Sequence, residues 1–296
     1  MIILYGCTIF VSAFLLFLVQ PLIAKQILPW FGGSAGVWTT CLVFFQCMLL
    51  AGYFYADWTT RRLTASRQAI VHLGLLVLAV ALLPIIPDGS WKPDAAEQPS
   101  LRILLLLVAT IGLPYFLLSA TSPLVQSWFS TYRAGASPYR LFALSNLASM
   151  LALLGYPFLI EPWVSTRYQA LSWSVGFVLF AALIAVLAWQ RFRAHATPLA
   201  AAETLDPLAE STAVVRPPSG RDKFIWIALA GLATVFLMAI SNHLTQNISS
   251  IPLMWVFPLA LYLLSFILCF DVKHSRQGWY HRELFLPLLA VMSRNT

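Results

Sequence analysis

The fold is decided by residues 17–53, FLVQPLIAKQILPWFGGSAGVWTTCLVFFQCMLLAGY, where two long apolar runs are joined by a short glycine-containing connection. A helix needs about 20 mostly apolar residues to cross a bilayer. Eight runs of this kind occur along the chain, at residues 2–24, 36–56, 68–86, 101–122, 139–160, 169–189, 224–246 and 251–270. The sequence therefore predicts an all-α, polytopic membrane helix bundle with eight full transmembrane helices.

The composition supports a membrane protein. Hydrophobic residues make up 60% of the 296 residues and charged residues only 10%, with a mean hydropathy of +0.80. Soluble domains carry about 25% charged residues, so a soluble enzyme and a disordered chain are both excluded. The net charge of +7 does not indicate nucleic acid, because the basic residues form short clusters between apolar runs. The expected partner is the lipid bilayer.

The basic residues also predict the orientation. Thirteen of the 18 Lys and Arg residues fall in the loops after helices two, four, six and eight. Cytoplasmic loops carry the excess of Lys and Arg in membrane proteins. The N-terminus is therefore predicted to be cytoplasmic.

The chain divides into two membrane segments and a linker. We expect a six-helix bundle over 1–189, a proline-containing cytoplasmic linker over 190–223, and the start of a second bundle over 224–296. A truncated ninth helix begins near Arg282, and its apolar part, residues 284–292, reaches only about 14 Å. We expect the sequence to be the front part of a longer protein. The alternative is a re-entrant or interfacial end.

Helices one, four and seven share a pattern. They read FLLFLVQPLIAKQ from Phe14, FLLSATSPLVQSW from Phe116 and FLMAISNHLTQNI from Phe236. Because three is odd, the units 1–100 and 101–189 would enter the membrane from opposite sides and form an inverted repeat. This is the plan of the major facilitator superfamily. Asp57, Arg61 and Arg62 resemble that superfamily's cytoplasmic loop motif, although ordinary positive-inside arginines after a helix-end Asp would look the same.

A second resemblance lies at residues 17–53 and, more weakly, at 259–271. Gln20, Pro21 and Lys25, the Phe-Gly-Gly-Ser of 31–34 and the Val-Trp pair of 37–38 carry it. These residues resemble the membrane portion of bacterial proteins that fuse a facilitator-like bundle to a spermidine-synthase-like domain. The resemblance implies a bacterial inner membrane location. It also implies an aminopropyltransferase-like domain beyond residue 296, since no glycine-rich nucleotide loop after a strand occurs in this sequence.

Polar residues inside spans are the candidates for a cavity or ligand site, because such residues usually face a cavity or another helix. The candidates are Gln20, Lys25, Ser119, Ser122, Gln126, Asn242, His243, Gln246 and Asn247. Lys25 is alternatively a residue that snorkels to the interface, and His243 an interhelical hydrogen-bond partner. Pro21 and Pro123 either kink their helices or end them. Gln20, Ser122 and Asn242 are expected to face a common interior.

Chemistry is not predicted for this chain. The cysteines form no C-x-x-C pair, the histidines have no metal-binding spacing, and no nucleophile–base pair or paired carboxylates are visible, so we predict no catalytic residue, metal or cofactor. The sequence indicates an integral membrane scaffold or anchor, either an accessory subunit of a larger membrane complex or the membrane part of a polyamine-synthase-like protein. The alternative is a secondary-transporter-like module that moves or channels a small amine.

Overall fold

The computed structural model describes residues 2–32, 35–92, 99–132, 139–195, 219–247 and 256–269. Within these ranges the regular structure is helical throughout, which confirms the all-α prediction. The helices are α1 (Ile2–Phe31), α2 (Ala35–Arg62), α3 (Ala65–Ala81), α4 (99–132), α5 (139–160), α6 (Thr166–His195), α7 (Gly220–Asn247) and α8 (Val256–Cys269). A single 3-10 turn, Gly89–Trp91, lies between α3 and α4.

Two of these helices contain a wider turn. α4 is α-helical over Pro99–Leu107 and Leu113–Tyr132 and π-helical over Val108–Gly112. α5 is α-helical over Tyr139–Gly155 and π-helical over Tyr156–Ile160. Proline lacks the backbone N–H that donates to the α-helical hydrogen-bond ladder. Pro114 follows the π segment of α4 by two residues, and Pro157 lies inside the π segment of α5.

Six helices of the described residues are long and apolar enough to cross a membrane. They are Ile2–Phe31, Gly36–Arg62, Pro99–Phe129, Arg140–Ile160, Thr166–Phe192 and Gly220–Ser241. The chain is therefore a multi-pass membrane protein. The third and eighth predicted helices are present as shorter apolar helices, Ala65–Ala81 and Val256–Leu268. The predicted ninth helix and linker residues 196–218 lie outside the described residues.

Helix ends differ from the hydropathy boundaries for local reasons. α1 continues through Lys25 to Phe31 and ends at Gly32, whose φ of 77° is in the left-handed region that favours glycine. α3 begins after Thr64, whose hydroxyl accepts from the Arg67 amide, and ends at Ala81, ahead of Pro84. Pro21 and Pro123 both lie inside continuous helices, so neither ends its helix.

Among the described residues, those up to 188 and those from 263 to 269 belong to one compact unit, and those from 189 to 262 belong to another. In the first unit, α1 packs mainly on α5 and α4, while α2 packs mainly on α4. The span of α4 is 61% buried, against 28% for the spans of α2 and α5. α4 is therefore the central helix of this unit.

In the second unit, α7 starts with a reciprocal cap. The Ser219 backbone N–H and hydroxyl donate to the Asp222 carboxylate, and the Asp222 backbone N–H donates to the Ser219 hydroxyl.

Helices α2 and α4 approach each other closely at Gly52 of α2. A Cβ at this position would clash with the Ser119 side chain and would lie 2.9 Å from both Ala120 N and Phe116 O of α4. The Ser119 hydroxyl in turn donates to Phe116 O at 2.7 Å and to Met48 O of α2 at 3.3 Å. Small residues allow this approach, as they do at many membrane helix interfaces.

Substitution of Gly52 tests this interface. We expect Gly52→Ala to lower the free energy of unfolding by about 1–3 kcal/mol, because the new Cβ would press against backbone atoms of α4, which cannot rotate away as a side chain can. Thermal unfolding of the purified chain in detergent measures the effect.

Gly74→Ala in α3 is the matched control, since a Cβ there meets nothing within 4 Å. Helix propensity makes this change neutral or stabilising by up to about 1 kcal/mol. Equal effects of the two changes would contradict the close α2–α4 approach.

Candidate functional site

Gln20 is half-buried where α1 meets α4 in the first unit. Its amide Nε2 donates to the Tyr115 hydroxyl of α4 at 3.1 Å. Tyr115 is 1% exposed, and its ring lies 5.0 Å from that of Phe45 and 6.4 Å from that of Phe44, both on α2. This contact joins α1, α2 and α4 around one neutral hydrogen bond.

The α4 candidates lie further along the helix. Ser119 is buried in the α2 interface, and Ser122 accepts a hydrogen bond from Gln126 Nε2 at 3.0 Å. Ser122 follows Tyr115 by seven residues, which is about 10 Å of helix rise. Gln20 and Ser122 therefore lie on adjoining helices at different depths, each with its own partner. Ser122 and Gln126 remain half-buried.

Lys25 forms an ion pair that the sequence did not predict. Its Nζ lies 3.2 Å from Oε1 of Glu161, at the end of α5, with the two side chains 35% and 34% exposed. Paired charges at a membrane interface are compatible with a snorkelling lysine, because the long side chain reaches the helix end. The pair fastens the ends of α1 and α5 to each other.

The α3–α4 connection folds over the same end of the unit. Arg102 donates to the carbonyls of Ser90 (2.8 Å), Trp91 (3.4 Å) and Lys92 (3.3 Å). Lys92 Nζ lies 5.9 Å from the centre of the Trp30 ring. Hydrogen bonds from the Ser90 backbone and side chain lower the pKa of the exposed Asp88 carboxyl. These contacts tie residues 90–92 to the start of α4 and to Trp30.

The remaining candidates are placed as follows. His243 is exposed, and the side chains of Asn242, Gln246 and Asn247 lie outside the described residues. The proposed convergence of helix seven on helices one and four therefore stays a prediction. In the loop motif, Asp57 and Arg61 form an exposed ion pair at 2.8 Å within α2, and Arg62 is exposed.

A buried amide that bonds to two other helices was not predicted from the sequence. Gln68 is 3% exposed, and its Nε2 donates to the Thr59 and Thr60 hydroxyls of α2 at 3.2 and 3.0 Å. Its Oε1 accepts from the Trp128 indole of α4 at 2.9 Å. We call Thr59, Thr60, Gln68 and Trp128 the Gln68 cluster. One amide thus links α2, α3 and α4.

A second buried glutamine occupies the same place in α6. Gln169 is 3% exposed, accepts from the Tyr156 hydroxyl of α5 at 3.2 Å and donates to Val164 O at 2.7 Å. One turn later, the Trp173 indole donates to Leu15 O of α1 at 2.9 Å. The available sequence signal was a Gln-Ala pair in the first turn of both α3 and α6, 101 residues apart.

His72 takes the position in α3 that Trp173 takes in α6. It is completely buried, with Nδ1 3.4 Å from the Tyr55 hydroxyl, and its ring stacks on that of Tyr55. Its Nε2 has no hydrogen-bond partner among the described residues. His72, rather than His243, is the buried histidine of the described chain.

The described residues hold no group of three or more His, Cys, Asp or Glu side chains that could bind a metal ion. Comparison with known proteins adds no assignment: no family model matches the chain, and no curated protein or solved structure matches it either. The buried polar groups described above, all neutral, are therefore the main evidence about function.

Removing the Gln68 amide tests its structural role. We expect Gln68→Leu to lower the free energy of unfolding by about 2–3 kcal/mol, because three hydrogen bonds are lost, including the one that the buried Trp128 N–H donates to Gln68. Thermal unfolding and SDS-induced unfolding both report this change.

Gln126→Leu is the control, since Gln126 is half-buried and the described structure gives it one side-chain bond, to Ser122. We expect a loss of about 0.6 kcal/mol, the average for such bonds in membranes. If Gln68→Leu were no more harmful than Gln126→Leu, the Gln68 cluster would not stabilise the bundle.

Proposed function

We propose that the chain is an integral membrane scaffold or anchor, serving as an accessory subunit of a larger membrane complex or as the membrane part of a polyamine-synthase-like protein. The observation that carries this proposal is the state of the polar groups that lie wholly or partly buried between helices. Gln20, Gln68 and Gln169 are all hydrogen-bonded to neutral groups of neighbouring helices. Their hydrogen bonds hold helices together.

The acidic residues support the same proposal. A module that moves a cationic amine is expected to place a carboxylate in the middle of a span. The four acidic residues of the described ranges lie instead near helix ends or between helices: Asp57, Asp88, Glu161 and Asp222. Two of these are paired with basic residues, Glu161 with Lys25 and Asp57 with Arg61.

A facilitator-like inverted repeat is the architecture that we propose for this scaffold. Three matched pairs of dipeptides support it, each separated by 101–103 residues: Gln20-Pro21 with Ser122-Pro123, Gly52-Tyr53 with Gly155-Tyr156, and Gln68-Ala69 with Gln169-Ala170. A nearly constant offset over three successive helices is expected when helices one to three and four to six descend from one unit.

Packing and burial support the repeat as well. The repeat makes α1, α2 and α3 equivalent to α4, α5 and α6. Under this equivalence the contact of α1 with α5 corresponds to the contact of α4 with α2, and these are the two most extensive helix contacts. The buried positions of α3 are 68, 69, 72, 76 and 79, and the positions 101 residues later, in α6, are buried too. In each half, an indole hydrogen bond fastens the third helix to the first helix of the other half.

The resemblance of residues 17–53 leads to the rest of the proposal. The chain would lie in a bacterial inner membrane with its N-terminus in the cytoplasm, and a spermidine-synthase-like domain would be the enzyme that it anchors. The distribution of Lys and Arg supports this orientation.

A transporter-like module for a small amine is the second candidate. The half-buried state of Gln20, Ser122 and Gln126 on the adjoining helices α1 and α4 favours it, because these groups are accessible from one side of their helices. Hydroxyl and amide oxygens accept hydrogen bonds from an ammonium group.

An uptake experiment separates the two functions. The purified chain in proteoliposomes should take up no more radiolabelled putrescine or spermidine than protein-free liposomes. The tagged chain, extracted from its own membrane, should migrate on native gels in a stoichiometric assembly with an enzyme domain or another membrane subunit. Saturable uptake that is lost in Gln126→Ala would support the transporter and contradict the scaffold.

Cysteine labelling tests the orientation. In a background with all four native cysteines replaced by alanine, Ser90→Cys should react with an impermeant thiol reagent in intact cells, and Ser66→Cys should react only after permeabilisation. Ser66 lies at the start of α3 and Ser90 lies beyond its end. Both are exposed, so a difference in labelling would report the side of the membrane and not burial in the protein. The reverse pattern would invert the proposed topology.

A further inference from the structure

α2 has two faces with heptad spacing. The buried face carries Phe45, Gly52 and Thr59, seven residues apart, and packs on α4 and the Gln68 cluster. A second face, which we call the outer seam, carries Thr39, Val43, Gln46, Leu50 and Tyr53, all of them exposed. Their spacing alternates between four and three residues, the pattern by which two helices pack in a left-handed coiled coil.

Gln46 lies at the middle of the outer seam and at the middle of the span that hydropathy predicts, residues 36–56. It is eleven residues from Ala35 and eleven from Asp57, which is about 16 Å of helix in each direction. The hydrocarbon core is about 30 Å thick. Its neighbour Phe45 contacts Tyr115, the hydrogen-bond partner of Gln20, so the two glutamines have similar depths.

The amide of Gln46 differs from the amides of Gln20 and Gln68. Gln20 and Gln68 are hydrogen-bonded inside the bundle, whereas Gln46 is exposed and takes part in no hydrogen bond within the described residues. An unpaired amide in hydrocarbon costs several kcal/mol, so a polar group in this position normally faces a partner and not lipid.

We propose that the outer seam is the contact between two copies of this chain, with Gln46 of each copy hydrogen-bonded to Gln46 of the other. A carboxamide is both a donor and an acceptor, so it can pair with an identical group. A second copy with the same topology places its own Gln46 at the same depth, and a two-fold interface brings the same surface of both copies together. A single polar residue in an otherwise apolar seam fixes the register of helix pairing.

Cross-linking in membranes tests the geometry. In the cysteine-free background, Leu50→Cys on the outer seam should form a disulfide-linked dimer of the chain when oxidised with copper phenanthroline. Leu151→Cys on α5, also exposed, should not. Cross-linking of Leu50→Cys to a different protein, or to none, would overturn the pairing of two copies.

Association measured by energy transfer in liposomes, over a range of protein-to-lipid ratios, tests the role of the amide. Gln46→Leu should weaken the dimer about 3- to 20-fold, the range for interhelical hydrogen bonds in membranes, and Gln46→Asn should retain most of the association. Gln20→Leu is the matched control, because its amide lies at similar depth but pairs with Tyr115.

Equal effects of Gln46→Leu and Gln20→Leu, or a chain that stays monomeric at every ratio, would overturn the proposal. The uptake and native-gel experiments do not depend on this contact, so the scaffold proposal stands or fails separately.

Discussion

The bilayer core supplies no hydrogen bonds, and this constraint governs the structure. Polar side chains that enter it must find partners among neighbouring helices. Gln20 meets this requirement with a tyrosine hydroxyl. Nearer the helix ends, Gln68 pairs with two hydroxyls and an indole, and Gln169 with a tyrosine hydroxyl and a backbone carbonyl. Apart from Val164, which lies in the connection before α6, each partner belongs to another helix. These bonds therefore fix which helices are neighbours, a choice that non-directional apolar packing leaves open.

The central position of α4 follows from the same requirement. Three of its residues bond to other helices: Tyr115 accepts from Gln20 of α1, Ser119 donates to a carbonyl of α2, and Trp128 donates to Gln68 of α3. The apolar packing then completes what the polar contacts begin, with rings such as Phe44, Phe45 and Tyr115 filling the space between α1, α2 and α4. The requirement is not met everywhere, since His72 Nε2 and Gln26 Oε1 are buried without a hydrogen-bond partner among the described residues.

Hydropathy predicted the long helices well because length and apolar content follow directly from the thickness of the bilayer. It could not place helix ends that depend on one residue, such as Gly32 after α1 or Thr64 before α3. The buried glutamines were missed because an amide in a first turn looks interfacial in a one-dimensional pattern. The Lys25–Glu161 pair joins residues 136 positions apart, and nothing in either local sequence indicates the other.

The Lys25–Glu161 pair also has a consequence for biogenesis. During synthesis Lys25 reaches the membrane long before α5 exists, so its charge has no carboxylate partner at that stage. With the N-terminus in the cytoplasm, as we propose, Lys25 moves outward against a potential that is negative inside, at about 2.3 kcal/mol per 100 mV. Glu161 later moves in the same direction and regains the same electrical work. The charge balance at this end of the bundle is therefore reached only after the fifth helix has inserted.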